Sequence, residues 1–420
     1  MSESGSAFAT TSHLEATAHL AVPLPSGATA HLDARTHPAA TVHVATDAAA
    51  VGHRSHVFSG SAVLPTLSDR AQSHHLDALA RQLADLQEWL ADDLTAVELA
   101  LRTPTGSTLA ERAGRHLLQA GGKRIRPLCT LLVGRMGAAS DGSVPAGLRD
   151  LAIAVELVHN ATLLHDDVVD MADTRRGQPT SRALHGNEVS IFAGDWVLVA
   201  ALRRIVASGY PHLVGSALDT LEAMIAAEVE QAQRASVLAD DVEGYLRVAQ
   251  GKTASLFRWA MQAGATAAGL DCAATAALQM FGGDLGIAFQ ITDDVLDLCG
   301  QPQLTGKALF ADICEGKITL PVAFALQRQP YLRDQILACK QAHLAEQSGP
   351  AVVQNHADCS VADPCAGIVA AVVDCGALEA AREQASHYCE RALASLLLVR
   401  PCPEVDALRT VADALVRRRA

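Results

Sequence analysis

Aromatic residues are scarce: Phe, Tyr and Trp together make up 4% of the 420 residues, while half of the chain is hydrophobic. A core of small and aliphatic side chains packs well between helices, and an all-β fold becomes a poor expectation. Basic residues are also in deficit, 33 Lys and Arg against 46 Asp and Glu, for a formal net charge of -13. Nucleic acid is held by a basic surface, so it is excluded as the main partner; any anionic ligand must be met by local positive groups. No unbroken apolar run of about 18 residues occurs, and no membrane span is expected. The ten cysteines form no CxxC pair and lie mostly in apolar helical text, which fits reduced thiols. A charged segment followed by an apolar one is missing from the N-terminus, arginines there are few, and a cytoplasmic location is expected.

Residues 1–73 show no sustained period, and nine of the seventeen histidines fall within residues 1–75. A disordered extension is expected there rather than a metal-binding tail. From HHLDALARQLADLQEWL onward, apolar residues recur at helical spacing, and Gly and Pro punctuate the joints. One large all-α domain is expected over 74–420. The stretch 340–366 breaks the pattern and reads as a surface loop, its His356, Cys359 and Cys365 being too weakly spaced for a metal site.

What is present is charge in unusual places. In LLHDDVVDMADTRRG, Asp166 and Asp170 share one helix face, and Asp167 sits about 100° round the axis. Converging carboxylates need a cation, and hard oxygens suit Mg²⁺, which keeps waters and takes one or two carboxylates plus phosphate oxygens. Alone, such a cluster is more often a solvated face. The pattern returns, however, as Asp293, Asp294 and Asp297 in FQITDDVLD, again at the end of an apolar helix. Two such helices facing each other would form a carboxylate-lined mouth on an apolar cavity. The cations are equally local: Lys123, Arg124 and Arg126 in GGKRIRP, then Arg175 and Arg176. Guanidinium forks bind phosphate oxygens bidentately, and lysine adds a point charge. GKTASLF at 251–257 is no P-loop, because Leu246 stands where that motif needs glycine. The combination points to diphosphates held through metal on one side and by Lys and Arg on the other.

The ordered segments GGKRIRP, ELVHNATLLHDDVVDMADTRRG, GNEVSIFAGDWVL, GKTASLF, GGDLGIAFQITDDVLD and GKALFADICEGKITLP span residues 121–321. Together they resemble the trans-isoprenyl diphosphate synthases, the polyprenyl synthetase family, and within it the long-chain octaprenyl and solanesyl types. The resemblance implies the isoprenoid synthase fold, a large helical bundle around a central apolar cavity. It implies that Asp166 and Asp170, with Asp167 assisting, and Asp293, Asp294 and Asp297 bind two or three Mg²⁺ ions bridging to an allylic diphosphate such as farnesyl diphosphate. Asp166, Asp170, Asp293 and Asp297 are the expected direct ligands. Arg175, Lys252, Thr253, Gln290, Lys307 and Lys317 would contact that diphosphate or its neighbourhood, Lys252 joining the aspartates as catalytic. Lys123, Arg126, His159 and Arg176, with Arg124, would hold isopentenyl diphosphate. The plainer alternatives are a helix-packing His159, Thr253 and Gln290 satisfying nearby backbone, and solvated Lys307 and Lys317. A homodimer is implied by the same resemblance.

The expected reaction is repeated head-to-tail prenyl transfer giving a long all-trans-polyprenyl diphosphate, a precursor of quinone side chains. Thr162 and Ala161, four and five residues before Asp166, are small, so the pocket floor is expected to be open. Trp196 or another residue of GDWVLVAAL could still shorten the product, which keeps a farnesyl- or geranylgeranyl-length alternative. A terpene cyclase has no need of GGKRIRP, and a non-catalytic subunit of a heteromeric synthase would be expected to lack one aspartate cluster or several of the cations.

Overall fold

A computed structural model of the chain describes residues 63–73, 76–103, 107–140, 142–299, 311–348 and 364–416. Two units are distinguished, Met1–His56 and Val57–Ala420. The first lies outside the described residues, as does the disorder expected of it. The second is helical, as its composition requires: α1 (Val63–Ser73), α2 (Asp77–Trp89), α3 (Ala91–Arg102), α4 (Leu109–Gln119), α5 (Ile125–Arg135), α6 (Leu148–Val169), α7 (Ser181–His185), α8 (Asn187–Ala207), α9 (Leu213–Val237), α10 (Val242–Ala249), α11 (Ser255–Ala267) and α12 (Cys272–Leu298). Helices Ala311–Glu315, Leu320–Arg328, Leu332–Ser348, Pro364–Asp374, Ala377–Ser395 and Pro403–Val416 follow.

The centre is α5, buried at every residue from Ile125 to Gly134. A helix that is apolar all round belongs inside, and α6, α11 and the C-terminal helix pack against it. Beside it, α12 approaches α11 closely because Gly282 has no side chain: a Cβ there would lie 2.8 Å from Phe257 O. By length and mean hydropathy α12 alone among the described helices is apolar enough to cross a membrane, but its apolar residues are mostly covered by α11 and Ala377–Ser395. Between α6 and α7 the chain makes one small hairpin, Thr174–Arg175 paired antiparallel with Gln178–Pro179. Its two turn residues, Arg176 and Gly177, both have positive φ (55° and 73°), as the tight turns that match strand twist demand.

Two boundaries differ from expectation. Helix α1 begins at Val63, inside the anticipated extension, because Leu64, Leu67 and Ala71 recur at helical spacing and are all buried. The anticipated loop 340–366 is helical over 340–348 and 364–366, and its middle, with His356 and Cys359, lies outside the described residues. Helix Leu332–Ser348 runs on because it docks on the end of α9: Lys340 Nζ donates to Ala235 O (2.7 Å) and Arg333 Nη1 to Leu238 O (2.8 Å). Those carbonyls are ones a helix C-terminus leaves open, and cations complement them.

Candidate active site

At the end of α6 the helix repeat decides which carboxylates look outward. Asp166 and Asp170 are half-buried and meet lysines brought from far along the chain: Lys252 Nζ lies 4.0 Å from Asp166 Oδ2, and Lys317 Nζ 2.7 Å from Asp170 Oδ1. Asp167 turns inward instead. At 1% exposure it accepts from Arg175 Nε at 2.6 Å, while its other oxygen has no partner among the described residues. Burial pushes this carboxyl up; Arg175 opposes the shift and Asp166 and Asp170 add to it. Arg175 is thus engaged with Asp167, whereas the sequence assigned it to a diphosphate.

The end of α12 has the same division. Asp293 Oδ1 lies 3.3 Å from Lys123 Nζ. Asp294 is buried, and both of its oxygens accept hydrogen bonds, one from the Tyr245 hydroxyl (2.6 Å) and one from Gln290 Nε2 (2.8 Å). Burial, then the Asp294 charge, holds the Tyr245 phenol well above its ordinary value, so it is a donor. The Gln290 carbonyl in turn accepts from Thr253 Oγ1 at 2.6 Å. With its proton given to Gln290, Thr253 as arranged has none for a phosphate oxygen, a departure from the contact expected of it. Asp297 is also buried.

Lys252 and Thr253 sit in a π-helical turn, Gln250–Ala254, that joins α10 to α11. Such turns recur at functional sites because the inserted residue re-aims side chains. Here Thr253 reaches α12 while Lys252 points back to α9, where its Nζ meets Glu228 Oε1 at 2.6 Å and Gln231 Oε1 at 2.9 Å. Burial raises the Glu228 carboxyl, Lys252 opposing and Asp166 reinforcing. Glu228 and Gln231 escaped the sequence reading; their only signal is an i, i+3 polar pair in AAEVEQAQ. Lys317 also meets Glu315 at 2.6 Å. Burial alone would lower this ammonium, but Asp170, Glu315 and Asp312 hold it above its usual range. Lys307 lies outside the described residues.

A second cationic group gathers around His159 and two phenylalanines. Arg126 is buried, its Cζ 4.6 Å from the Phe257 ring centroid and its Nε without a partner among the described residues. Lys123 Nζ lies 5.3 Å from the Phe289 ring, and the two rings are 5.6 Å apart. Arg176, set by its left-handed backbone, donates to the Gly121 carbonyl. His159 is held well below the ordinary imidazole value by burial and by the charges of Arg126, Arg176, Arg175 and Arg124, so it is neutral at pH 7. Arg126, Arg176, Arg175 and Arg124 all lie close enough to act on this one imidazole, and such a group of cations suits an anion.

Arg124 is the exception. Only 3% exposed, it gives Nε to Glu98 (3.0 Å), Nη1 to Glu156 (2.6 Å) and Nη2 to the Leu118 carbonyl (3.0 Å). The sequence grouped it with the substrate contacts; its fork is committed inside the protein instead. Of the two residues read as the pocket floor, Thr162 shares the half-exposed face of Asp166, donating to His159 O at 2.9 Å. Ala161 is only 1% exposed and points about 140° away from Asp166. Trp196 rests beside Gly114 of α4.

Among the described residues no three His, Cys, Asp or Glu side chains close around a point as metal ligands. The donors are hard oxygens in open arrangement, each outward carboxylate facing a lysine rather than another ligand. Mg²⁺ suits this set, since it keeps several waters and is completed by phosphate oxygens rather than by an all-protein cage.

The polyprenyl synthetase family model matches residues 107–354. Over 247 residues the chain is 38% identical to heptaprenyl diphosphate synthase component 2 of Geobacillus stearothermophilus, covering 58% of this chain and 76% of that one. Over 351 residues it is 32% identical to octaprenyl diphosphate synthase of Escherichia coli K12, covering 80% and 99%. The crystal structure of a polyprenyl synthase from Caulobacter crescentus, complexed with calcium and isoprenyl diphosphate, superimposes with a TM-score of 0.66 at 30% identity, covering 86% of this chain and 99% of that one. The fold is that of the isoprenoid synthases, and the chain belongs to the polyprenyl synthetase family, an enzyme family of prenyltransferases.

Proposed function

We propose that this chain condenses an allylic diphosphate with isopentenyl diphosphate, head to tail and repeatedly, to make a long all-trans-polyprenyl diphosphate of the kind used for quinone side chains. The observation that carries the reading is a pair of charged groups: a carboxylate-and-lysine rim around Asp166, Asp170 and Asp293, which metal would turn into a diphosphate site, and a cluster of guanidiniums around His159. Two sites of different character suit two diphosphates with different tasks.

Asp166, Asp170 and Asp293, with Asp297, would hold Mg²⁺ when the allylic diphosphate is bound. The metal supplies charge neutralisation for the departing diphosphate. Lys252 and Lys317 add to it, their charge being most useful as negative charge grows on the leaving oxygen. Lys123, Arg126, Arg176 and neutral His159 would grip isopentenyl diphosphate and aim its terminal double bond. The allylic C–O bond breaks with its electron pair leaving on the diphosphate; the double bond attacks that carbon and forms the new C–C bond. The tertiary cation produced then loses a proton to the departed diphosphate, since no other base stands out. Phe257 and Phe289, packed under Arg126 and Lys123, would supply apolar surface beside this step.

Thr162, small and on the Asp166 face, supports a floor open to a growing chain, and the octaprenyl and heptaprenyl relatives favour the same length class. A homodimer is supported by apolar stripes left exposed on two neighbouring helices, Ile191, Phe192, Val199 and Val206 on α8 with Leu218, Ile225 and Val229 on α9. The likeness to a component of a heptaprenyl synthase favours one second reading, that the stripe takes a different subunit. The test is to incubate the protein alone with farnesyl diphosphate, labelled isopentenyl diphosphate and Mg²⁺ and to size both products and protein. Long labelled products from a dimer are expected. No incorporation overturns autonomous activity, and short products overturn the long-chain reading.

A further inference from the structure

We infer that Tyr245 is a positioning residue of the prenyl-transfer site: its hydroxyl, through Asp294 and Gln290, holds Thr253 and the π-helical turn of Lys252 in register with the second aspartate cluster. The inference rests on the prenyl-transfer reading above.

Tyr245 lies near the middle of α10, buried at 8% exposure, with its hydroxyl 2.6 Å from Asp294 Oδ2. Because the second Asp294 oxygen accepts from Gln290 Nε2, the orientation of the glutamine amide is fixed: a carboxylate only accepts, so the NH₂ end must face it. The amide oxygen then faces Thr253, whose hydroxyl donates to it at 2.6 Å. The relay therefore has one direction, from Tyr245 and Gln290 into Asp294 and from Thr253 into Gln290. Reversing any one bond would leave two donors or two acceptors facing each other.

The relay ties together three segments that meet at the mouth. Thr253 is flanked by Lys252, the cation that reaches Asp166, Glu228 and Gln231; Asp294 is flanked by Asp293, the carboxylate that faces Lys123. Turning the π-turn about its axis would swing Lys252, and rolling the end of α12 would swing Asp293. Backbone packing limits sliding, since a Cβ on Gly251 would lie 2.6 Å from Ala227 Cβ and one on Gly286 2.5 Å from Ala254 Cα. Rotation is what packing leaves to side-chain bonds. A buried carboxylate is a costly way to join helices, and apolar packing would do so as stably. What the polar relay adds is a defined angle.

The test is a double-mutant cycle of Tyr245→Phe and Thr253→Val, which cut the relay at its two ends and leave the shapes nearly unchanged. Steady-state kinetics are run with farnesyl and isopentenyl diphosphates, and amide hydrogen exchange is measured on the metal-free proteins. Each single variant should lose roughly 10- to 100-fold in kcat/KM for the allylic substrate, as outer partners of a site commonly do. The KM for isopentenyl diphosphate should change much less, because Arg126, His159 and Arg176 stand on α5, α6 and the hairpin, outside the relay. Exchange should quicken at Gln250–Ala254 and not along α6, and the double variant should be about as impaired as the worse single one. Penalties that multiply, a rise in both KM values together, or exchange quickened equally in α6 would each overturn the inference. Should Tyr245→Phe not fold, Thr253→Val decides: it touches no buried charge, and normal allylic kinetics with normal exchange in the turn would overturn it. An inert wild-type protein would overturn the prenyl-transfer reading instead, and the exchange pattern would still decide whether the relay holds the turn.

Discussion

Replacing Arg124 by methionine separates a substrate contact from an internal strut. Both Arg124 and its partner Glu156 have side chains 2% exposed, so solvent screening does little for the pair. Removing one member of a buried pair leaves the other charge uncompensated, at a cost of about 3–5 kcal/mol. For a unit of this size that corresponds to a melting temperature lower by roughly 4–7 °C. Glu98 suffers less, because Arg102 Nε still lies 2.6 Å from it. The double variant Arg124→Met, Glu156→Leu removes the stranded charge, and Asn160 keeps an acceptor in the Glu156 backbone carbonyl at 2.7 Å. Most of the lost stability should return in it. Calorimetric melts of the wild type, both single variants and the double variant give the coupling directly. The KM for isopentenyl diphosphate is measured alongside. A methionine variant that melts like the wild type but binds isopentenyl diphosphate poorly would refute the strut and restore Arg124 to the substrate contacts.

Thr162→Phe should shorten the product, because the side chain lies roughly 6 Å below Asp166 at 1.5 Å rise per residue, little more than one isoprene unit; unchanged long products on chromatography would count against that floor. His159, depressed by burial and by its guanidinium neighbours, makes stability fall on the acid side. Below the ordinary imidazole value of about 6.5 the unfolded chain takes up a proton that the folded chain refuses, so stability drops with falling pH by up to about 1.4 kcal/mol per unit. Melts of His159→Gln between neutral and mildly acid pH should lack part of this slope; an identical slope refutes the assignment. Chelation of divalent ions should abolish turnover without lowering the melting temperature, since Lys123, Lys252 and Lys317 already face the carboxylates in the metal-free protein. Metal and inorganic diphosphate added together should raise the melting temperature by more than the sum of each alone, and simple additivity would contradict this.

Local periodicity carried much of the structure into the sequence. The all-α class, the shared face of Asp166 and Asp170 and the helical frame from α2 onward follow from spacing and composition. Helix α1 was hidden because Pro65, Thr66, Ser68 and Asp69 interrupt its apolar positions, and only burial against the rest of the core reveals the stripe of Leu64, Leu67 and Ala71. Arg124 was misread for a different reason. In GGKRIRP all three cations look alike, and what separates Arg124 is a left-handed backbone (φ 48°) that turns it toward Glu98 and Glu156, from helices far away in the chain. Glu228, Gln231 and Tyr245 gave no motif because their partners, Lys252 and Asp294, lie on other elements.

The two aspartate clusters show why a motif names residue types more reliably than roles. In each, the first aspartate looks outward to a lysine, Asp166 to Lys252 and Asp293 to Lys123. The second, about 100° round the helix, must look inward, where an isolated carboxylate would be strongly disfavoured. Each is rescued by a donor from elsewhere, Asp167 by Arg175 and Asp294 by Tyr245. The donors come from different places, a guanidinium from the hairpin and a phenol from α10. Asp167 is balanced by that guanidinium, whereas Asp294 accepts on both oxygens, from the Tyr245 hydroxyl and from the Gln290 amide. The second aspartate of each motif therefore works inside the protein, Asp167 fixing the hairpin that carries Arg175 and Arg176 and Asp294 joining α10 to the turn of Lys252, while the first aspartate is left facing the mouth.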